Sequence, residues 1–216
     1  MFQSSSFPTP TASGDAVTLG YLNGQWDFQT IPIMQALGSS LKASTFSPYV
    51  ALDKGSISSG DAAYSAVFLP SAQSLTGISI YLTTQGSYTG NGFNGVALYS
   101  YSSGTLTQVA ISANTTNVWA SSVGLIKIPF TSTYNASAGV YFIGVLWNAS
   151  ATTTTPQLSY TTIADAYYAT ADFSNSAKMF GHVASTTTFP SSIAMSSILT
   201  GLATLGSRSE LFAYLY

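Results

Sequence analysis

A mainly β protein is what this sequence predicts: an antiparallel, jelly-roll-like β-sandwich preceded by a short, partly helical N-terminal docking segment. Three observations lead there. Runs of strand length recur in which apolar and polar residues alternate, and Ser-Gly, Asn-Gly or Pro-containing turns separate them. The composition is 46% hydrophobic and 13% aromatic but only 6% charged, so it supplies a core without supplying charge to the surface. At 216 residues the chain is long enough to bury such a core unaided. Hydroxyl and amide side chains must solvate it, because no residue from Ala62 through Ile126 bears a formal charge.

The elements divide into an N-terminal segment, residues 1–44, and a sandwich domain, residues 45–216. In the first segment Asp15 can cap a helix that places Val17 and Tyr21 one turn apart and stops at Gly24. A second short helix follows from Ile31 to Gly38, with Ile33, Met34 and Leu37 on helical spacing. Helices shorter than ~12–15 residues are marginal in water, so both need a packing partner. Val17, Tyr21, Leu22, Ile33 and Leu37 are the residues expected to make that docking or oligomer contact.

From about Pro48 the period changes to two. In Leu75–Thr84, Ile78, Ile80 and Leu82 fall on one face and Ser79, Tyr81 and Thr83 on the other, as a half-buried strand requires. Strands are expected at 64–69, 75–84, 94–101, 105–112, 122–130, 140–148, 157–163, 178–185 and 210–216. Val140–Trp147 and Glu210–Tyr216 are apolar on both faces and should be covered on both. A terminal strand ending in an aromatic residue also occurs in outer-membrane barrels. Those need a signal peptide and a polar lumen beside a lipid-facing band, and neither pattern is present.

Pro10-Thr-Ala, Asp15-Ala-Val-Thr and Gly20-Tyr-Leu together resemble the Pro-Thr-Ala…Asp-Ala-Ala-Thr-Lys-Gly-Tyr-Val-Asp segments of bacteriophage tail-fibre and related appendage proteins. Leu19 stands at the family's Lys, Leu22 at its Val and Asn23 at its Asp. The stretch Leu75–Trp147, with Thr-Gly-Ile-Ser-Ile-Tyr, Asn-Gly-Val-Ala-Leu-Tyr-Ser and Ala-Gly-Val-Tyr-Phe-Ile-Gly-Val-Leu, is similar to β-sandwich modules of phage fibres and bacterial surface proteins. The resemblance implies a segment that joins fibre parts near a three-fold axis. It thus implies a homotrimer and contact with other virion proteins.

Charge and composition narrow the partners. A net charge of −2 with five Lys and Arg leaves no basic stripe for phosphates, which argues against nucleic acid and anionic membranes. Mean hydropathy is +0.28. Yet the longest strongly apolar run, Val140–Trp147, is far shorter than the ~20 residues of a spanning helix, so no membrane insertion is expected. Met1–Pro8 has neither a basic nor an apolar signal region, so synthesis in the host cytoplasm is expected. There is no cysteine, hence neither disulfide nor thiolate chemistry.

Motifs that carry chemistry are weak. Gly90-Asn-Gly-Phe-Asn-Gly95 spells the dinucleotide fingerprint, but it precedes the strand at Val96 and lacks an acidic residue ~20 positions on, so it reads as a loop between strands. His182 is the single histidine and lacks a nucleophile elbow; a core or turn role is expected for it rather than a triad with Asp165 or Asp172. Asp53 with Asp61, or Asp165 with Asp172, would have to supply a glycosidase pair. Asp165, Asp172 and Asn175 as Ca²⁺ ligands lack a dense acidic loop. No catalytic residue, metal or cofactor is therefore expected. Tyr167, Tyr168, Phe173 and Asn175 form an aromatic and amide cluster suited to stacking on sugar rings or on another protein, and are the candidate ligand-binding residues. Sequons at Asn114, Asn135 and Asn148 are expected by chance in so Ser/Thr-rich a chain.

The expected function is a non-enzymatic structural virion protein, a fibre head or a capsid or tail appendage, with attachment to a host-surface glycan as an added role. A free carbohydrate-binding module or adhesin is the alternative, and a hydrolase a more distant one.

Overall fold

The computed structural model describes residues 40–46, 51, 53–162, 179–200 and 209–216. In chain order their strands are β1 (Ala43–Ser44), β2 (Asp53–Gly55), β3 (Ala62–Leu69), β4 (Gln73–Thr84), β5 (Ser87–Gly90), β6 (Gly95–Ser102), β7 (Thr105–Ile111) and β8 (Gly124–Ala136). They continue with β9 (Gly139–Leu146), β10 (Ala149–Thr154), β11 (Gln157–Thr162), β12 (Phe180–Val183), β13 (Ser192–Ala194), β14 (Leu199–Thr200), β15 (Ser209–Leu211) and β16 (Ala213–Leu215). Every pairing among them is antiparallel.

Sheet A runs β1-β16-β4-β11-β15, with β8 also on β4 and β2 also on β11; sheet B runs β13-β7-β6-β9-β3-β12-β14. The chain alternates between layers, with β3 in B, β4 in A, β6 and β7 in B, β8 in A, β9 in B, β11 in A and β12 in B, as in a jelly roll. β5 and β10 form a separate two-stranded ribbon. The layers curl toward one another at their margins. Ser112 bridges Phe130 of β8, and Thr131 Oγ1 donates to the Ile111 carbonyl at 3.1 Å. Elsewhere the Leu211 N–H donates to Ser65 Oγ of β3 at 3.2 Å, so the second sheet is stitched to the first from within.

The inter-sheet core follows from the alternation. Ile78, Ile80 and Leu82 of β4 meet Val96 and Leu98 of β6 and Ile143 and Val145 of β9. Trp119, in a 3-10 turn at Val118–Ala120, and Trp147 complete it. Each buried indole is satisfied: Trp119 Nε1 donates to the Leu146 carbonyl at 3.0 Å and Trp147 Nε1 to that of Ile57 at 2.8 Å.

Both doubly apolar runs are covered on both faces. β9 is central in sheet B, and its outward Phe142 and Leu146 lie in a second core with Phe189, Ile193, Met195 and Ile198 from the stretch after β12. At the C-terminus Leu211, Ala213 and Leu215 face the inter-sheet core, while Phe212 and Tyr214 pack with Leu41 on the other side. This run is broken at Phe212, so that β15 pairs with β11 while β16 pairs with β4 and β1; the C-terminus fills the fork between β4 and β11. Sheet A thus takes its edge strand β1 from Ala43–Ser44, within the stretch assigned above to the N-terminal segment.

Each of the nine expected strands has a counterpart. β8 continues to Ala136, past the expected end at 130; the extension Thr131-Ser-Thr-Tyr-Asn135 is mostly exposed and has no apolar stripe to announce it, with only Ala136 buried. β5 and β10 were not expected: Ser87-Tyr-Thr-Gly90 and Ala149-Ser-Ala-Thr-Thr-Thr154 have no apolar stripe, and β10 is nearly all exposed. The ribbon touches the core only through Tyr88 and Ala149, too few positions to leave a periodic signature.

Candidate functional site

Sheet B carries a bare apolar surface. β3, β9 and β6 are neighbours, and Val67 and Leu69 point into the inter-sheet core, which turns Phe68 outward. Phe68 pairs in register with Val140 of β9, and Tyr101 stands on β6 one residue beyond the Ser100–Tyr141 pair. The three are 56%, 43% and 38% exposed, and the Tyr101 ring lies 6.2 Å from that of Phe142. The rest of this outer face is roofed by Phe189, Ile193, Met195 and Ile198, so the row is the open end of a face otherwise closed. β3, β6 and β9 hold no charged residue. A flat, uncharged aromatic row suits a neutral sugar ring or another apolar surface, not a phosphate or a carboxylate.

Beneath the roof, Tyr64, Tyr99, Phe93 and Phe189 pack edge to face, with Tyr64 and Tyr99 centroids 5.4 Å apart. Gly144 makes this possible: a Cβ there would lie 2.9 Å from Phe189 Cε1 and 3.2 Å from Tyr64 Cε1. The Tyr99 hydroxyl donates to the Pro190 carbonyl at 2.7 Å, and burial pushes its pKa up to about 12. The Tyr64 hydroxyl is buried and makes no hydrogen bond of good geometry among the described residues; burial, and then the neighbouring Tyr99 hydroxyl, drive its pKa up.

The Gly90–Gly95 stretch is a loop between β5 and β6, as the sequence suggests. Asn91 N–H donates to the Asn148 carbonyl at 3.0 Å, Asn94 N–H to Asn114 Oδ1 at 2.9 Å, and Asn114 Nδ2 to the Gly92 carbonyl at 3.1 Å. Gly92 has φ of +79°, a conformation that favours glycine. These amides hold three loops together and point their donors at protein carbonyls. Of the three sequons, that at Asn148 is buried, with Nδ2 donating to the Phe93 carbonyl at 2.8 Å.

No protein-family model, curated protein or solved structure matches this chain. Its own residues must carry the functional argument.

His182 is buried on β12, in register with Ala63 of β3 and Leu199 of β14. Asp53 is exposed on β2 of sheet A, whereas Asp61 is buried just before β3 of sheet B. The two acids thus sit on different layers. Among the described residues no three His, Cys, Asp or Glu side chains group as a metal site, and no helix is long and apolar enough to cross a membrane. Val17, Tyr21, Leu22, Ile33 and Leu37 lie outside the described residues, as do Tyr167, Tyr168, Phe173 and Asn175, and Asp165 and Asp172. The sequence reading missed the Phe68–Val140–Tyr101 row. Its signal is an aromatic or branched residue at the outward position of three strands, legible only once it is known which part of that face is roofed.

Proposed function

We propose that the protein is a structural component of a bacteriophage virion, a fibre head or a capsid or tail appendage. In this reading it associates as a trimer through its N-terminal segment and with other virion proteins, and displays the sandwich outward. The observation that carries it is the appendage-like stretch Pro10–Asn23, where Val17, Tyr21 and Leu22 need a packing partner outside their own two turns. A sandwich that closes its core within one copy supports it, since such a domain can be displayed without help from neighbours. Light scattering on the full chain and on a chain lacking residues 1–39 tests it. The cut is placed at 39 because Leu41 and Ala43 are buried in the sandwich. A trimer that becomes a folded monomer on truncation is expected; an unchanged mass, or a monomeric full chain, counts against it.

The Phe68–Val140–Tyr101 row favours a second reading, in which the sandwich binds neutral glycans, either as the virion's attachment surface or as a free binding module. A glycan array with the full chain tests that reading separately.

A further inference from the structure

The outer face of sheet A is part covered and part bare, and the chain enters the described structure on the border between the two. Leu41, Phe212 and Tyr214 are buried there, with Phe46, Ala51 and Tyr216 packed against them. Along the same face the cover stops. Tyr81 of β4 and Leu125 of β8 are cross-strand partners, each more than two-fifths exposed, and Val123, two residues before Leu125, is 61% exposed. Ser79 and Lys127 form the next pair on that face toward the covered cluster. Lys127 Nζ sits 5.2 Å from the centroid of the Tyr216 ring and donates to Ser40 Oγ at 3.1 Å. Ser40 therefore lies over this face, held by a residue only about 7 Å along β8 from Leu125.

What precedes Ser40 matches what the face lacks. Between Asp27 and Lys42 the chain has no charged residue, and Ile31-Pro-Ile-Met-Gln-Ala-Leu37 is its most apolar part. Residues 31–39 reach about 30 Å extended or about 14 Å as a helix, and either covers the step from Ser40 to Tyr81. We infer that this stretch of the same polypeptide, through Ile33 and Leu37, seats on Tyr81, Leu125 and Val123. A short tether holds the stretch at an effective concentration in the millimolar range, so it outcompetes the same stretch from a second copy. Lys127 is already engaged, so the occupant needs no acid. Docking here fixes the direction in which residues 1–30 leave the sandwich. It holds whether or not the protein forms the oligomer proposed above.

The absence of cysteine makes the test direct. In the full chain Val123→Cys is combined in turn with Ile33→Cys, Met34→Cys and Leu37→Cys, and each protein is oxidised in dilute solution. At least one pair should form a disulfide within a single chain, read as a faster-migrating monomer on a non-reducing denaturing gel. Adding Leu125→Asp, or Tyr81→Ser in a second variant, should lower the yield about tenfold, as expected when burial of one apolar side chain is lost. Both positions are exposed, so the sandwich keeps its melting transition. Disulfides that only join two chains, none from any pair, or a yield indifferent to both substitutions would overturn the inference. Light scattering on the reduced samples reads the oligomer independently.

Discussion

Asn94 and Asn148 treat each other as strand neighbours. Asn94 Nδ2 donates to the Asn148 carbonyl at 3.1 Å while the Asn148 N–H donates to Asn94 Oδ1 at 3.0 Å, both bonds buried. A side-chain amide thus pairs with a main-chain peptide beyond the end of β9, where the ladder has stopped, and joins the loop before β6 to the start of β10. Only an amide offers a donor and an acceptor in that arrangement. Asn94→Ala is expected to cost about 2–4 kcal/mol in urea unfolding, from two buried bonds lost and the Asn148 N–H left unpaired, while the Asn148 carbonyl keeps its bond from the Asn91 N–H. Asn94→Asp should be at least as damaging, because it sets a carboxylate against the Asn148 carbonyl. An Asp variant as stable as the parent would contradict this pairing.

Gly144 and Tyr64 give a contrasting pair of expectations. Gly144→Ala puts a methyl group against Phe189 and Tyr64, and overpacking of this kind costs about 1–3 kcal/mol. Tyr64→Phe removes a hydroxyl that has no partner among the described residues, so it should be neutral or stabilising. Denaturant midpoints of the two variants should move in opposite senses or differ clearly in size. Equal losses would mean that the Tyr64 hydroxyl is bonded after all.

Much of this architecture was legible because one face of each main strand is buried. Ile78, Ile80 and Leu82 announce β4, and the doubly apolar Val140–Leu146 announces a central strand with a roof. The cover itself was not legible: Phe189 lies in a loop, Ile193 on the three-residue edge strand β13, and Met195 and Ile198 in the short link from there to β14 at the opposite edge, and pieces this short carry no period. The break at Phe212 was hidden for a related reason. Glu210–Tyr216 reads as one strand, and only the fork between β4 and β11 makes it change partners. The Asn94–Asn148 pair was hidden because only Asn94 lies in the glycine-rich loop, while its partner stands 54 residues further on.

Glu210 should make stability depend on pH. It stands on β15 opposite Thr161, 4% exposed, and burial pushes its carboxyl up to about 8 from 4.5. The folded state therefore holds a proton that the unfolded state has released between those two values. Stability from this group is fully present below about pH 4.5 and is lost as pH rises to about 8, after which it changes no further. Urea midpoints measured across that range should fall with rising pH. Glu210→Gln should flatten the profile and exceed the parent above pH 8. A parent profile already flat would show that the carboxyl ionises at its ordinary value.

The open row on sheet B separates binding from stability. Phe68 and Tyr101 are exposed enough that Phe68→Ala and Tyr101→Ala should change unfolding free energy by no more than about 1 kcal/mol. If the row stacks on sugar rings, each substitution should weaken glycan binding about tenfold, the loss of one aromatic anchor. Binding that survives in the double variant would move the ligand surface elsewhere.

If copies associate through the N-terminal segment as proposed, that association should be nearly indifferent to ionic strength. The chain has twelve charged residues, of which Lys127 is occupied with Ser40 and Tyr216 and Glu210 is buried. The stretch Ala16–Gln25, which includes Val17, Tyr21 and Leu22, has no charge at all. Salt weakens only contacts made by charges, over a screening length of ~8 Å at physiological strength. Contacts built from apolar and hydrogen-bonded groups are instead strengthened by excluded salts such as sulfate. Sedimentation at about 50 mM and about 500 mM sodium chloride should therefore return the same mass, and sodium sulfate should hold the oligomer together at lower protein concentration. Dissociation between the two chloride concentrations would assign the contact to the few charges near its ends, Asp15 and Asp27, and Leu22→Asp would then weaken it no more than any other added acid.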